Sequence, residues 1–394
     1  MELSISESRG IISNLISNYY SKAEDIYPER ISEREFGVGD FESKIRTRHI
    51  SFENKKTFKE YLIKKSPPFI SCSTAFYKHP SFRPMENKEW LGSELVFDLD
   101  ATDMKLPCQS SHGNSWVCET CLSSVKEETI KLIEEFLIPD FGFSKDEIEL
   151  NFSGNRGYHV HIKKESTFSL DQIARKEISD YITGNDVNPE AFFNLEELKK
   201  DTGRTTKKLM GPKITDGGWS GKIARNFIKE LEKGEENLIS LGIEKSVARN
   251  LYKKKALVEL GINNGNWDMV YIKNKGDFWK DILKTQSIYQ SDKIDQNVTN
   301  DPSHMVRLAN TIHGETGLIS KKISISDLTT FDPMSDTLAF NTGEMDIIVN
   351  TNQKLIMNKQ TFGPYDNEKV EVPSYVAIYL FLKNKALFVN KKVI

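Results

Sequence analysis

Two aspartates, Asp98 and Asp100, close the run Glu94-Leu95-Val96-Phe97-Asp98-Leu99-Asp100. A strand points successive side chains to opposite faces, so both carboxylates project from one side, while Val96, Phe97 and Leu99 supply apolar strand character. Carboxylates roughly 7 Å apart along a strand can share a pair of divalent ions about 4 Å apart. An Asp-x-Asp is also common in solvated loops, but this one ends an apolar strand. Further along, Ser153-Gly154-Asn155-Arg156-Gly157-Tyr158-His159-Val160-His161 reads as a tight turn entering a strand. Gly154 and Gly157 let the backbone approach a ligand and adopt positive φ. The Ser153 hydroxyl and the Arg156 guanidinium fork suit phosphate oxygens. His159 and His161 share one face of the strand that follows. Alone, this segment also fits an ordinary hairpin turn with a surface arginine. Beside the acidic pair, it points to polyphosphate chemistry assisted by a divalent cation.

Cys108, His112, Cys118 and Cys121 follow the acidic strand with the spacing C-x3-H-x5-C-x2-C. A Cys-x-x-Cys can chelate one ion through both thiolates, and a further Cys and a His complete a tetrahedral zinc site. The alternatives are a redox pair or buried free thiols. The chain between His112 and Cys118 is polar and contains glycine, so a metal is the more economical source of its order. Cys72 lies apart and reads as a small core residue.

Apolar spacing predicts helices over 11–27, 55–65, 125–137, 170–182, 223–241 and 245–260. Strand or extended text lies near 33–37, 46–52, 69–77, 94–100, 147–152, 157–163, 305–308 and 346–350. Pro373 opens a closing helix, being a favoured first-turn residue. From about 185 to 290 the sequence turns Lys/Glu-rich and helix-favouring, and reads as an inserted helical subdomain. No internal repeat or low-complexity tract is seen.

A chain of 394 residues can bury a substantial core as one domain with an insertion, or as two domains. Its formal charge of −3 gives no global nucleic-acid signature. Residues 41–90 carry eleven Lys/Arg against five acids, a patch able to track a template backbone or simply to be solvated. Four cysteines do not make a disulfide framework. The polar stretch Met1 to Gly10 gives no secretory pattern, and the apolar run Tyr375 to Leu382 is too short to span a bilayer. A soluble intracellular protein without membrane partners is expected.

These pieces, in this order, resemble the small catalytic subunit of DNA primases of the archaeal and eukaryotic kind, the archaeal form above all. The resemblance rests on Arg34-Glu35-Phe36-Gly37, Arg48-His49-x-Ser51-Phe52, Leu95 to Asp100, the Cys/His cluster after it, Ser153-Gly154-x-Arg156-Gly157-x-His159, and Arg307-Leu308 running to His313-Gly314-x-Thr316-Gly317-Leu318. It covers roughly 1–182 and 290–345. It implies an α/β (α+β) fold: a mixed-sheet catalytic core over 1–184 and 291–394, a zinc knuckle at 105–122, and a helical subdomain at 185–290. The third metal-binding carboxylate precedes the family's His by eighteen positions, which places it at Asp295, with Asp301 as the rival. Ser153, Arg156, His159, Arg307 and His313 are implied as triphosphate contacts, and Arg48 as a further one. Without the resemblance, Arg307 and His313 read as a structural salt bridge and a core histidine. Asn155, His304 and Glu315 stand where relatives often carry Arg, Arg and Lys; Ala309 and Asn310 also depart from the pattern.

The implied activity is DNA-templated synthesis of short RNA primers, with DNA as a further possible product, from NTPs or dNTPs on single-stranded DNA. Mg²⁺ or Mn²⁺ would be held by Asp98, Asp100 and Asp295, and structural Zn²⁺ by the knuckle. Implied partners are a large primase subunit and the replication machinery. The implied location is the cytoplasm and nucleoid of a prokaryotic cell, or a nucleus. Two other readings stay open: a repair or translesion polymerase of the same superfamily, and a non-catalytic zinc-dependent nucleic-acid-binding protein.

Overall fold

Alternating side chains in four short strands build the floor on which the acidic pair stands. The computed structural model describes residues 2–185, 187–199, 205–269, 278–279 and 293–389. One sheet runs Lys322–Ile323, Ile148–Phe152, Gly157–Ile162, Leu95–Asp100 in spatial order, each neighbouring pair antiparallel. Its register sets Asp98 opposite His159 and His159 opposite Asn151, with Val96, His161 and Glu149 in the adjacent row. One face is therefore polar. The other carries Phe97, Leu99, Leu150, Phe152, Tyr158 and Val160, all buried; each such side chain contributes about 1.5–3 kcal/mol of transfer free energy. This is period-two segregation, and it fixes which way both aspartates point. Val96, on the polar face, packs with Val298 and Val306, so the segment after residue 293 is clamped beside the acidic strand.

A second antiparallel sheet runs Met305–Arg307, Phe69–Ser73, Phe36–Gly39, Thr47–Ile50. The extended text at 69–77 divides between two sheets, because Ala75–Tyr77 pairs with Trp90–Ser93 instead. The first helix spans Ile5–Lys22, starting earlier than its apolar stripe. Ser4 and Glu7 form a reciprocal capping box that satisfies the first-turn N–H groups, and Ala23 turns extended and ends the helix. Ile12, Ile16 and Tyr20 face the core, where Phe36, Phe52 and Phe58 meet with ring centroids 4.9–5.1 Å apart. Towards the end of the chain, Tyr365–Pro373, Glu344–Thr351 and Ala386–Phe388 form a three-stranded sheet. The helix Ser374–Leu382, capped by Pro373, is buried along nearly its whole length.

By contacts the chain divides into two units. The first comprises Met1–Ile130, Ser144–Lys176 and Ile294–Ile394; the second comprises Lys131–Phe143 and Glu177–Lys293. The second unit thus takes in 131–143 beyond the 185–290 stretch. Lys222, buried on the helix Gly218–Glu232, pairs with Asp140, and Tyr181 donates to the same carboxylate at 3.0 Å. The second unit is not purely helical: Asn194–Lys199 and Thr205–Met210 form an antiparallel hairpin. The expected helix over 223–241 is broken at Gly234, whose φ of 117° no helix accommodates. Phe227, Leu231, Leu251, Trp267 and Trp279 centre its core. All described strand pairs are antiparallel, and with these helices the fold is α+β. Among the described residues, no helix is long and apolar enough to cross a membrane.

Candidate active site

Asp98 and Asp100 stand half-buried on the polar face. A third carboxylate arrives through the backbone, for the Asp295 N–H donates to the Asp98 carbonyl at 2.9 Å. Asp295 is the N-cap of the helix Gln296–Asn300, its carboxylate accepting from the Asn297 N–H at 2.9 Å. Burial pushes the Asp98 carboxyl up to about 8, with Asp100, Asp295 and Asp103 adding to the rise and Arg156 opposing it. A partly desolvated carboxyl among three others marks a place short of positive charge. Asp301 is different. It is lowered to about 2, first by His304 and, against its burial, by Ser303, whose N–H and hydroxyl it accepts at 2.8 and 2.7 Å.

The turn at 153–157 is closed by Ser153 N–H to the Gly157 carbonyl at 2.9 Å and by Gly157 N–H to Ser153 Oγ at 3.2 Å. Its glycines are required by contact. Gly154 has φ +85°, and a Cβ there would lie 2.8 Å from His313 Cβ; at Gly157 a Cβ would lie 2.2 Å from the Leu99 carbonyl oxygen. The turn is thereby pressed against both the acidic strand and the His313-Gly314-Glu315-Thr316-Gly317 segment, and Thr316 Oγ1 donates to the Gly154 carbonyl at 2.6 Å. Arg156 Nε donates to both oxygens of Asp100 at 2.8 and 3.0 Å, and Nη1 donates to the Asn114 carbonyl at 2.7 Å.

His159 Nε2 lies 3.7 Å from Asp98 Oδ1. Burial lowers this imidazole to about 3, helped by His161, Arg307 and His304, so it is neutral. His313 is also buried and held well below the usual histidine range, by desolvation and then by Arg307, Lys44, Lys383 and Arg156. Its Nδ1 accepts from the Glu315 N–H at 3.2 Å, which leaves the proton on Nε2. The Arg307 guanidinium stacks 4.8 Å from the Phe69 ring centroid, and its Nη1 is buried without a hydrogen-bond partner. Burial lowers Arg307 to about 10. Arg48 is engaged elsewhere: in the second sheet, its Nε donates to the buried Glu35 at 3.0 Å.

Beyond the acidic strand, ligand atoms of Cys108, His112, Cys118 and Cys121 all lie within 4.8 Å of one another. Cys121 Sγ is 3.5 Å from Cys108 Sγ, 3.7 Å from Cys118 Sγ and 3.5 Å from His112 Nε2. His112 Nδ1 sits 2.7 Å from the Gly113 carbonyl, so Nδ1 carries the proton and the Nε2 lone pair is available to a metal. Burial would raise Cys118, but the Cys121 N–H and the neighbouring thiols bring it down to about 7. The cluster can bind a metal ion.

A family model described as DNA primase small subunit matches residues 97–325. A DNA primase small subunit from Methanococcoides burtonii is 31% identical, across 95% of this chain and 97% of that protein. One from Nitrosopumilus maritimus is 29% identical, across 91% and 92%, and one from Picrophilus torridus is 29% identical, across 96% and 98%.

The chain belongs to the DNA primase small subunit family.

The match runs from inside the acidic strand to beyond the His313 segment, so it spans the groups on the polar face and the Cys/His cluster, and leaves Arg48 and Glu35 outside. On this primase small-subunit scaffold, the residues singled out in sequence fall into three places. Asp98, Asp100, Asp295, Ser153, Arg156, His159, Arg307 and His313 gather around the polar face of the first sheet. The four Cys/His residues form their own cluster, and Arg48 stands with Glu35. Two neighbours escaped the sequence reading. Asp103 follows Asp100 in the same short helical turn and adds to the negative field; its closeness in sequence was a usable signal. Lys383 Nζ donates to Asn155 Oδ1 at 3.3 Å, and nothing in its sequence surroundings announces that.

Proposed function

We propose that this chain is the catalytic subunit of a DNA primase, a nucleotidyltransferase that makes short RNA primers on single-stranded DNA. The observation that carries this reading is the convergence of Asp98, Asp100 and Asp295 beside the Ser153–Gly157 turn and His313. In the reaction, a nucleotide 3′-hydroxyl attacks the α-phosphorus of an NTP, the new phosphodiester bond forms and pyrophosphate leaves.

Asp98, Asp100 and Asp295 would hold Mg²⁺ or Mn²⁺, which would supply activation of the hydroxyl and charge neutralisation at the leaving oxygens. The protein groups position the triphosphate. Arg156 brings a guanidinium already anchored on Asp100, His313 offers Nε2–H as a neutral donor, and Arg307 offers an unpartnered Nη1. Ser153 and His159 complete the contacts. These donors are fixed before the nucleotide arrives, by buried packing and by the glycine contacts, so little reorganisation accompanies transfer. Arg48 serves as an outer contact. Four protein ligands leave no open position, so the Cys/His cluster holds structural Zn²⁺.

The catalytic core comprises 1–184 and 291–394, with 185–290 as an inserted subdomain. A large primase subunit is the partner within the replication machinery, and the archaeal sources of the relatives favour the cytoplasm and its nucleoid. The test is incubation of an unprimed single-stranded template with labelled NTPs or dNTPs. De novo products from NTPs support a primase making RNA, and products from dNTPs assign DNA synthesis. Extension of supplied primers alone replaces this reading with a repair or translesion polymerase. No incorporation, with template binding retained, leaves the non-catalytic reading.

A further inference from the structure

The helix Ser374–Leu382 is buried almost throughout and ends with Lys383 as its C-cap. A rigid element thus delivers that side chain to the rim of the phosphate-type turn. Lys383 Nζ lies 3.3 Å from Asn155 Oδ1, next to Arg156, and 5.7 Å from the Tyr379 ring centroid. Asn155 Nδ2 donates to Glu315 Oε2 at 3.2 Å, and the other oxygen of Glu315 meets Lys44 Nζ at 3.3 Å. One carboxylate therefore sits among two lysines and the turn amide. Lys383 and Arg156 also line a cavity of about 810 Å³ together with Arg9 and Lys385. Among the described residues lining it, Glu315 is the one acid.

We propose that this cavity is a phosphate-binding extension of the nucleotide site, in which Lys383 grips the triphosphate of the incoming nucleotide and Glu315 holds that place until the nucleotide arrives. The inference rests on the nucleotidyl-transfer reading given above. Of the four cations, Arg156 is paired with Asp100 and Arg9 with Glu42, which leaves Lys383 and Lys385 facing Glu315, and a polyphosphate supplies several oxygens where Glu315 supplies two. Lys383 is mostly desolvated, and burial brings it down to about 8 with Glu315 opposing that fall; an ammonium in such a place gains from a further anion. The occupant is the triphosphate rather than a strand phosphodiester, because Lys383 and Arg156 both act on His313 and Lys383 also feels Asp100. These are the groups surrounding the nucleotide position. The lining also carries Ile5, Phe41, Ile348 and Leu387, apolar surface that does not suit a charged strand backbone.

The experiment uses the full chain and titrates Mg·ATP and AMP separately in the absence of template, alongside steady-state incorporation. Lys383→Gln is expected to weaken Mg·ATP binding about tenfold, the worth of one charge-assisted hydrogen bond. AMP affinity and kcat should stay unchanged while KM rises. Lys383→Arg should restore most of the loss. Glu315→Gln should tighten Mg·ATP, because it releases Lys44 and removes the negative charge that competes for Lys383. The inference is overturned if Lys383→Gln leaves Mg·ATP affinity unchanged, or weakens ATP and AMP equally. It is overturned too if the loss falls on binding of a single-stranded oligonucleotide alone, since that makes the occupant a strand. Asp98→Asn is run in parallel. Full incorporation by that variant defeats the catalytic reading itself, whereas a dead Asp98→Asn beside a silent Lys383→Gln defeats this inference only.

Discussion

Asp98 shows how a single side chain reports its purpose through its surroundings. Burial together with Asp100, Asp295 and Asp103 opposes its ionisation, an arrangement that costs free energy unless a cation neutralises it. Asp98→Ala or Asp100→Ala should therefore lower nucleotide incorporation at least about a hundredfold, the scale for removing one preorganised electrostatic partner. The melting temperature should barely change for Asp98→Ala, since the apolar face of the strand is untouched, and should fall modestly for Asp100→Ala, which also gives up the Arg156 pair and the Thr102 cap. Asp295 and Asp301 separate in the same assay. Asp301 is spent on Ser303 and His304, so Asp301→Ala should reduce stability and spare activity, and Asp295→Ala should do the reverse. An inactive Asp301→Ala with an active Asp295→Ala would reverse the assignment. Asp98, Asp100 and Arg156 were legible in sequence because period-two alternation and a glycine turn are local rules. Lys383 was not, because its place depends on where a buried helix ends against a turn from the middle of the chain.

At the scale of elements, the Cys/His cluster is tied to the acidic strand through Arg156, which bonds both Asp100 and the Asn114 carbonyl, yet its metal can be withdrawn alone. Purified protein should contain one zinc per chain by metal analysis. Chelation should open 105–122 to limited proteolysis, since its buried apolar groups, Trp116, Val117, Cys121 and Leu122, all lie at its far end; a well-folded zinc-free chain with unaltered protection would remove the metal from this account. The polar face has a pH signature of its own. Burial raises Glu149, but Lys163, His161 and Lys322 outweigh it and bring the carboxyl down from 4.5 to about 2. Glu94 is buried and likewise held well below 4.5, against its burial, by Arg34, Lys163 and His161. Folded-state values below the unfolded ones mean that this stability is fully present above about 4.5 and is lost as pH falls towards 2. Thermal melts from pH 7 downwards should show that loss, and Glu149→Gln should flatten it; a melting temperature indifferent to acid in the parent protein would contradict the network. Sequence periodicity found most of these elements but not their limits. It missed the capping box that starts the first helix at Ile5 and the break at Gly234, and could not say that 69–77 serves two sheets, because strand partners are chosen by tertiary contact.

Over the whole molecule, charge limits what the chain can do by itself. The net charge is −3, and the basic stretch 41–90 is less available than its composition suggests. Lys88 is fully buried against Glu35, Arg48 is engaged with the same carboxylate, and Arg46 and Lys78 pair with Asp40 and Glu89. Among the described residues, the cations of this stretch without an ion pair are Arg83 and Lys55, Lys56, Lys59, Lys64 and Lys65 on the helix Lys55–Lys65, a modest set with which to follow a template. Each phosphate contact on a single strand contributes about 0.7 to the slope of log affinity against log salt, so the isolated chain should bind unprimed template weakly and with a shallow salt dependence. A large primase subunit that adds phosphate contacts should raise the affinity and steepen that slope in the joint complex, and should raise initiation more than extension of a supplied primer, because only initiation lacks a duplex to hold. Template titrations at several salt concentrations, with and without the partner, measure this directly. Full initiation by the isolated chain at physiological salt, together with native purification that yields no partner, would show that this chain carries its own template grip.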